Sequence, residues 1–151
     1  MKQIVLCFSL LLALLSCKEE AVYESFESLE GEEWQVGHPV LFVAEIPEKG
    51  DYDISLGIRH TTDYEMANLW CFLRVADTVG NLWKDSVDIR LAEPDGRWVG
   101  DGHSLKTLEY PLTTLPMPVE AGKYTFTVVQ GMRTQALKGI KDVGLVIRRR
   151  K

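Results

Sequence analysis

Hydrophobic and polar positions alternate most cleanly between Tyr52 and Val75, YDISLGIRHTTDYEMANLWCFLRV. Tyr52, Ile54, Leu56, Ile58 and His60 share one side of a period-two pattern; after a polar turn, Leu69, Cys71, Leu73 and Val75 do the same. Successive side chains of an extended chain point to opposite faces, so the stretch predicts two half-buried strands against a common core. Arg59, His60, Tyr64, Asn68 and Trp70 crowd around the connection between them.

The remaining pattern is of the same kind. His38 to Ile46 is a nearly continuous apolar run, as in a strand buried over most of its length, with Pro39 near its start where a missing N–H is tolerated. PEKGD (47–51) and DTVGN (77–81) are turn signals. Trp83, Asp85, Val87, Ile89 and Leu91 line one face of the next strand, where Asp85 interrupts the apolar stripe and predicts an end position. Glu93 to Gly102 packs three glycines and a proline around Trp98, which argues against regular structure. Leu105 to Leu112 is a poorer strand, and Pro111, Pro116 and Pro118 mark an extended crossing segment that cannot be helical. Tyr124, Phe126 and Val128 share a face, as do Val143, Leu145 and Ile147 in a closing strand. Only Met132 to Lys138 has room for a helical turn or two. Short strands at regular spacing predict an all-β fold, a jelly-roll-like antiparallel sandwich of about eight strands, with an immunoglobulin-like sandwich as second choice.

The N-terminus changes the picture of where this domain sits. Lys2 precedes an apolar run, Ile4 to Leu15, followed by Ser16-Cys17. The run is too short for a membrane-spanning helix, which needs about 20 residues, and reads as a secretory signal. Leu14-Leu15-Ser16-Cys17 resembles the bacterial lipobox, which implies cleavage before Cys17 and a covalent lipid on that residue, the only added group expected. Residues 1–16 are then a signal peptide, 17–31 the lipidated N-terminus and tether, and 32–151 the sandwich. Within the tether, Val22 to Phe26 has the pattern to join a sheet edge through Tyr23 and Phe26. Lys18 is not the aspartate that retains lipoproteins in the inner membrane of enteric bacteria, so the expected location is the outer membrane, on its periplasmic or its outer side. With Cys7 lost and Cys17 lipidated, Cys71 is the sole remaining thiol; between Trp70 and Phe72 it reads as a small buried hydrophobe.

Charge and motifs narrow the function. The chain carries 17 basic and 22 acidic side chains, a net −5, the wrong sign for neutralising nucleic-acid phosphates. Arg148, Arg149, Arg150 and Lys151 form a basic run read as a solvated tail. No G-x-S-x-G elbow, H-E-x-x-H, C-x-x-C or phosphate-binding glycine loop occurs, and His38, His60 and His103 have no metal-ligand spacing. Neither an enzyme nor a metal site is expected. Four tryptophans are available for the core, but Trp98, in its glycine-rich loop, is also placed as the aromatic of a carbohydrate-binding module or of a protein interface.

Several of these segments together, namely the lipobox, Ile58-Arg59-His60, Tyr64 with Asn68-Leu69-Trp70, and the loop Gly96-Arg97-Trp98-Val99-Gly100-Asp101-Gly102, resemble the gliding motility lipoprotein GldH family of the Bacteroidota. The likeness runs along nearly the whole chain. A proline often follows the tyrosine in that family, where this chain has Glu65-Met66. The resemblance implies an envelope lipoprotein needed by the gliding machinery and the linked type IX secretion system, with no established enzyme activity or cofactor. It implies partners among other envelope proteins of that machinery, with a surface glycan as the alternative. Arg59, His60, Tyr64, Asn68, Trp70 and Trp98 are the positions it carries over.

Overall fold

The computed structural model describes residues 21–151; the segment read as a signal peptide, the expected lipidation site Cys17 and residues 18–20 lie outside that range. Ten strands follow in order: β1 (Ala21–Ser28), β2 (Glu33–Gln35), β3 (Val40–Ile46), β4 (Tyr52–Thr61), β5 (Asn68–Asp77), β6 (Leu82–Arg90), β7 (Leu105–Leu112), β8 (Gly122–Gln130), β9 (Ala136–Lys138) and β10 (Ile140–Arg149). The one helical turn among the described residues is a 3-10 turn at Glu30–Glu32.

Two four-stranded antiparallel sheets, ordered β1-β10-β4-β7 and β3-β8-β5-β6, make the layers, and β2 pairs with β9 in a small ribbon. With that ribbon set aside, the chain crosses between the layers at every connection except the β5–β6 hairpin, the double Greek-key order of a jelly roll, as the sequence predicts. Ile54, Leu56 and Ile58 from β4 and Leu145 and Ile147 from β10 meet Phe42, Phe126, Leu73 and Val75 of the opposite sheet in one fully buried layer. Along β3 buried and exposed residues alternate strictly, with Leu41, Val43 and Glu45 facing solvent, so the strand has one face on this core and is not buried over most of its length as its apolar run suggests.

Three further expectations need correction. Residues 21–28, assigned to the tether, form β1 throughout, paired with β10 from Ala21 to Ser28, so the folded domain already includes residue 21. The sheet-edge pattern read at Val22 to Phe26 is therefore met and extends over the whole of β1, an edge strand whose inner residue Tyr23 covers the margin of the core. The proposed helical turn at 132–138 is instead β9, which pairs Leu137 with Trp34 and closes the ribbon over a fully buried indole. Asp85 sits mid-strand in β6 and not at an end; β6 is an edge, and Thr114 reaches across to donate to the Asp85 carboxylate at 3.0 Å. Pro111 falls inside β7, also an edge, where its absent N–H interrupts no ladder.

Candidate interaction site

The six residues singled out from the sequence separate into three environments. Consecutive residues of a strand face opposite ways, so Arg59 and His60 at the end of β4 part company at once.

His60 points inward and is fully buried. Its Nδ1 lies 2.9 Å from the Thr61 carbonyl oxygen, an acceptor, so Nδ1 carries the proton and donates; Nε2 has no hydrogen-bond partner among the described residues. Burial holds the imidazole below its ordinary value, the Thr61 carbonyl works the other way, and the Lys106 charge adds to the lowering. Trp98 and Tyr64 pack on it, with ring centroids 4.7 Å and 6.0 Å away.

Tyr64 is held from both ends. Its hydroxyl donates to the Asn68 carbonyl at 2.8 Å, closing the turn between β4 and β5, and its buried phenol is raised well above the ordinary range by desolvation and by Cys71. Its backbone rests against Gly139, which adopts φ +85° where β9 passes into β10; a Cβ there would lie 2.7 Å from the Tyr64 nitrogen. Thr61 N–H donates to the Gly139 carbonyl at 2.8 Å, tying the turn to the same point.

Trp98 reaches His60 because its loop is strapped down on both sides. Val99 N–H donates to Leu91 O, while Asp101 and Thr107 exchange backbone bonds of 3.0 and 2.8 Å. Gly102 has φ +111° and comes so near the Leu105 carbonyl that any Cβ would overlap it. The glycine-rich pattern therefore serves a tight fold-back onto β7, and the half-buried indole is spent on His60. The glycan reading rests on this indole, which is partly buried and packs on His60.

On the outer face of the first sheet, Arg59 lies across from Asp142 in register, with Nη1 3.8 Å from Asp142 Oδ2. Asp142 is buried and also accepts from Ser28 Oγ at 2.6 Å. The guanidinium covers the Phe26 ring at 3.8 Å from its centroid. Beneath that ring lie Gly144 and Gly57, one directly opposite the other, where added Cβ atoms would come within 2.5 and 2.6 Å of it. This stack of guanidinium, phenyl ring and paired glycines was missed by sequence reasoning; two in-register glycines inside apolar strands were the available signal.

Asn68 and Trp70 belong to the outer face of the second sheet. Asn68 Nδ2 donates to Asp88 Oδ1 at 2.6 Å, and Trp70, 40% exposed, stands beside Phe72, which is 52% exposed and packs over Gly131. Phe72, Leu41, Val43 and Leu82 extend the apolar character of this face, although only Trp70 was picked out from sequence. Cys71, between the two aromatics, points the other way into the core, and burial pushes its thiol up to about 12. No group of three His, Cys, Asp or Glu residues is close enough to hold a metal ion among the described residues.

These features define a jelly-roll domain whose polar inner cluster is closed by packing and whose free surfaces are sheet faces. The chain belongs to the GldH lipoprotein family, which matches residues 21–147, nearly the whole of the described fold. A gliding motility lipoprotein GldH homolog of Christiangramia forsetii is 30% identical over 141 residues, covering 87% of this chain and 86% of the relative. The gliding motility lipoprotein GldH of Flavobacterium johnsoniae is 27% identical over 142 residues, covering 89% and 88%. As a lipoprotein family it places the chain at a membrane of the cell envelope. A solved carbohydrate-binding module bound to β-1,4-galactotriose aligns over 87% of this chain and 92% of its own with a TM-score of 0.38 and 16% identity, too distant for any inference.

Proposed function

We propose that this protein is a non-catalytic structural or assembly component of the outer membrane, held there by a lipid on Cys17, that binds other envelope proteins of the gliding apparatus and of type IX secretion. The observation that carries the reading is the family match over nearly the whole described domain, 21–147. The arrangement of the candidate residues is in keeping with it. Tyr64, His60 and Trp98 are engaged with one another, and Arg59 with Asp142, whereas exposed aromatic and aliphatic side chains gather on a sheet face. A single acyl chain binds a membrane reversibly and several together hold firmly, so a lipidated Cys17 would keep the domain within reach of membrane-bound partners.

The test is gene deletion in the native host, scored for gliding where the host glides and for export of type IX cargo. Loss of either, restored by the wild-type gene and not by Cys17→Ser, is the expected result. Unchanged gliding and export in the deletion strain would overturn the proposal.

A further inference from the structure

The outer face of the second sheet has a composition unlike the rest of the surface. Register places Val43, Thr125, Ala76 and Leu82 in one row across the four strands, and Leu41, Thr127, Arg74 and Lys84 in the next, with Phe72 and Trp70 beyond along β5. Leu41, Val43, Trp70, Phe72 and Leu82 are all 40–54% exposed, on strands whose opposite faces fill the core. Thr125, Thr127 and Ala76 are short side chains on the two inner strands, whereas Phe72 and Trp70 rise from inner strand β5 and Leu41, Val43 and Leu82 from the two edges. Exposed apolar side chains gathered on one sheet face mark a contact site.

Its charges say what kind of contact. Arg74 and Lys84 stand directly opposite one another, a like-charged cross-strand pair that is intrinsically unfavourable, and neither has a carboxylate within ion-pair distance among the described residues. Six other arginines, Arg59, Arg90, Arg97, Arg148, Arg149 and Arg150, each stand beside an Asp or Glu. Lys106, Lys123 and Arg133 also lack a carboxylate within ion-pair distance among the described residues, but Arg74 and Lys84 are the two that face each other in register on the apolar platform.

We propose that this face docks a protein whose contact surface combines carboxylates with apolar side chains, the carboxylates meeting Arg74 and Lys84. The proposal rests on the protein-binding reading above and adds the face and the chemistry of the partner. A second copy fits poorly, because a two-fold pairing centred on Arg74 and Lys84 sets cation against cation. A lipid surface fits poorly too: anionic headgroups are recognised by clusters of about four to eight basic residues, whereas of the cations on this face Lys123 stands opposite Glu45 and Arg90 beside Glu93, which leaves Arg74 and Lys84, with Asp88 nearby on the same face.

The test places a photocrosslinking amino acid at Thr127 of the full lipidated chain in its native cells, with Glu24 on the outer face of the first sheet as control position. The crosslinked peptide is then sequenced. Expected is a Thr127-specific adduct with a partner peptide rich in Asp or Glu. Its yield should fall at least tenfold in Arg74→Glu/Lys84→Glu and recover when the partner carboxylates are changed to Lys. Lys84→Glu alone places opposite charges across the β5–β6 pair, so it keeps the fold and should still weaken the adduct. An adduct insensitive to these reversals, a partner peptide without carboxylates, adducts only to a second copy or to lipid, or no adduct would each overturn the proposal. A defective deletion strain with no Thr127 adduct would overturn the face alone; a normal deletion strain would overturn the wider function.

Discussion

The His60 imidazole lies 4.7 Å from the Trp98 indole, centroid to centroid, with the ring planes at 59°. This contact joins the end of β4 to a loop that follows β6 and makes one buried cluster out of segments nearly forty residues apart in sequence. A protonated imidazole is poorly tolerated there, since Nε2 has no acceptor near it and Lys106 adds like charge.

Stability should therefore depend on pH through His60. Its folded value is lowered, so its contribution is fully present above the unfolded value of about 6.5 and is lost as the pH falls from there through the folded value. The thermal midpoint of the wild type should drop on acidification from pH 7 through 6, and His60→Leu should remove that part of the drop. At pH 8, the two should differ little, by about 1 kcal/mol, because a histidine with an unpaired nitrogen is exchanged for an apolar side chain. Parallel pH slopes in the two proteins would refute the assignment.

Gly57 and Gly144 should not tolerate alanine while Phe26 is present. Each added Cβ collides with the ring, so Gly144→Ala or Gly57→Ala is expected to cost about 1–3 kcal/mol through displacement of Phe26 and the Arg59 stacked on it. Combining either change with Phe26→Ala should cost less than the sum of the single effects. Denaturant melts of the four proteins in each cycle measure the coupling.

Tyr64→Phe removes the bond to the Asn68 carbonyl and should cost about 1 kcal/mol. Gly139→Ala should cost more, since φ +85° is unfavourable for alanine by about 1–2 kcal/mol and the Cβ meets the Tyr64 backbone, which has no rotamer with which to yield. Thermal unfolding of both variants gives the order; a Gly139→Ala variant milder than Tyr64→Phe would contradict the docking of this turn on Gly139.

The Cys71 thiol should be silent in the folded protein. Buried and with its acidity suppressed to about 12, it should resist a thiol reagent at pH 8 for as long as the domain is folded, and react within minutes in denaturant. A chain that starts at Lys18, in which Cys71 is the single cysteine, makes the count unambiguous. Rapid native labelling would place Cys71 at a mobile or open edge.

Strand identity and the inward set were legible in the sequence because period two is a local property. Ile54, Leu56, Ile58, Leu69, Leu73 and Val75 could be assigned to the core from β4 and β5 alone, and the eight long strands with their turns restrict the domain to a sandwich. The Trp34 ribbon was not legible, since a three-residue strand is too short to show a period and is made by its partner at Leu137. Nor was the division of Arg59, His60 and Trp70 among three faces. Proximity in sequence suggested one cluster, and the pleat sends neighbours to opposite sides.

What the chain determined by itself was the lipobox-like leader pattern, the all-β class, the inward residues of the long strands and the family likeness. Tertiary structure alone decided that Trp98 turns in onto His60, that Phe26 lies over two glycines from separate strands, and that Arg74 faces Lys84 on an apolar platform. The reason is physical: alternation assigns a side chain to a face, but its neighbours on that face come from the register of other strands, which long-range pairing sets.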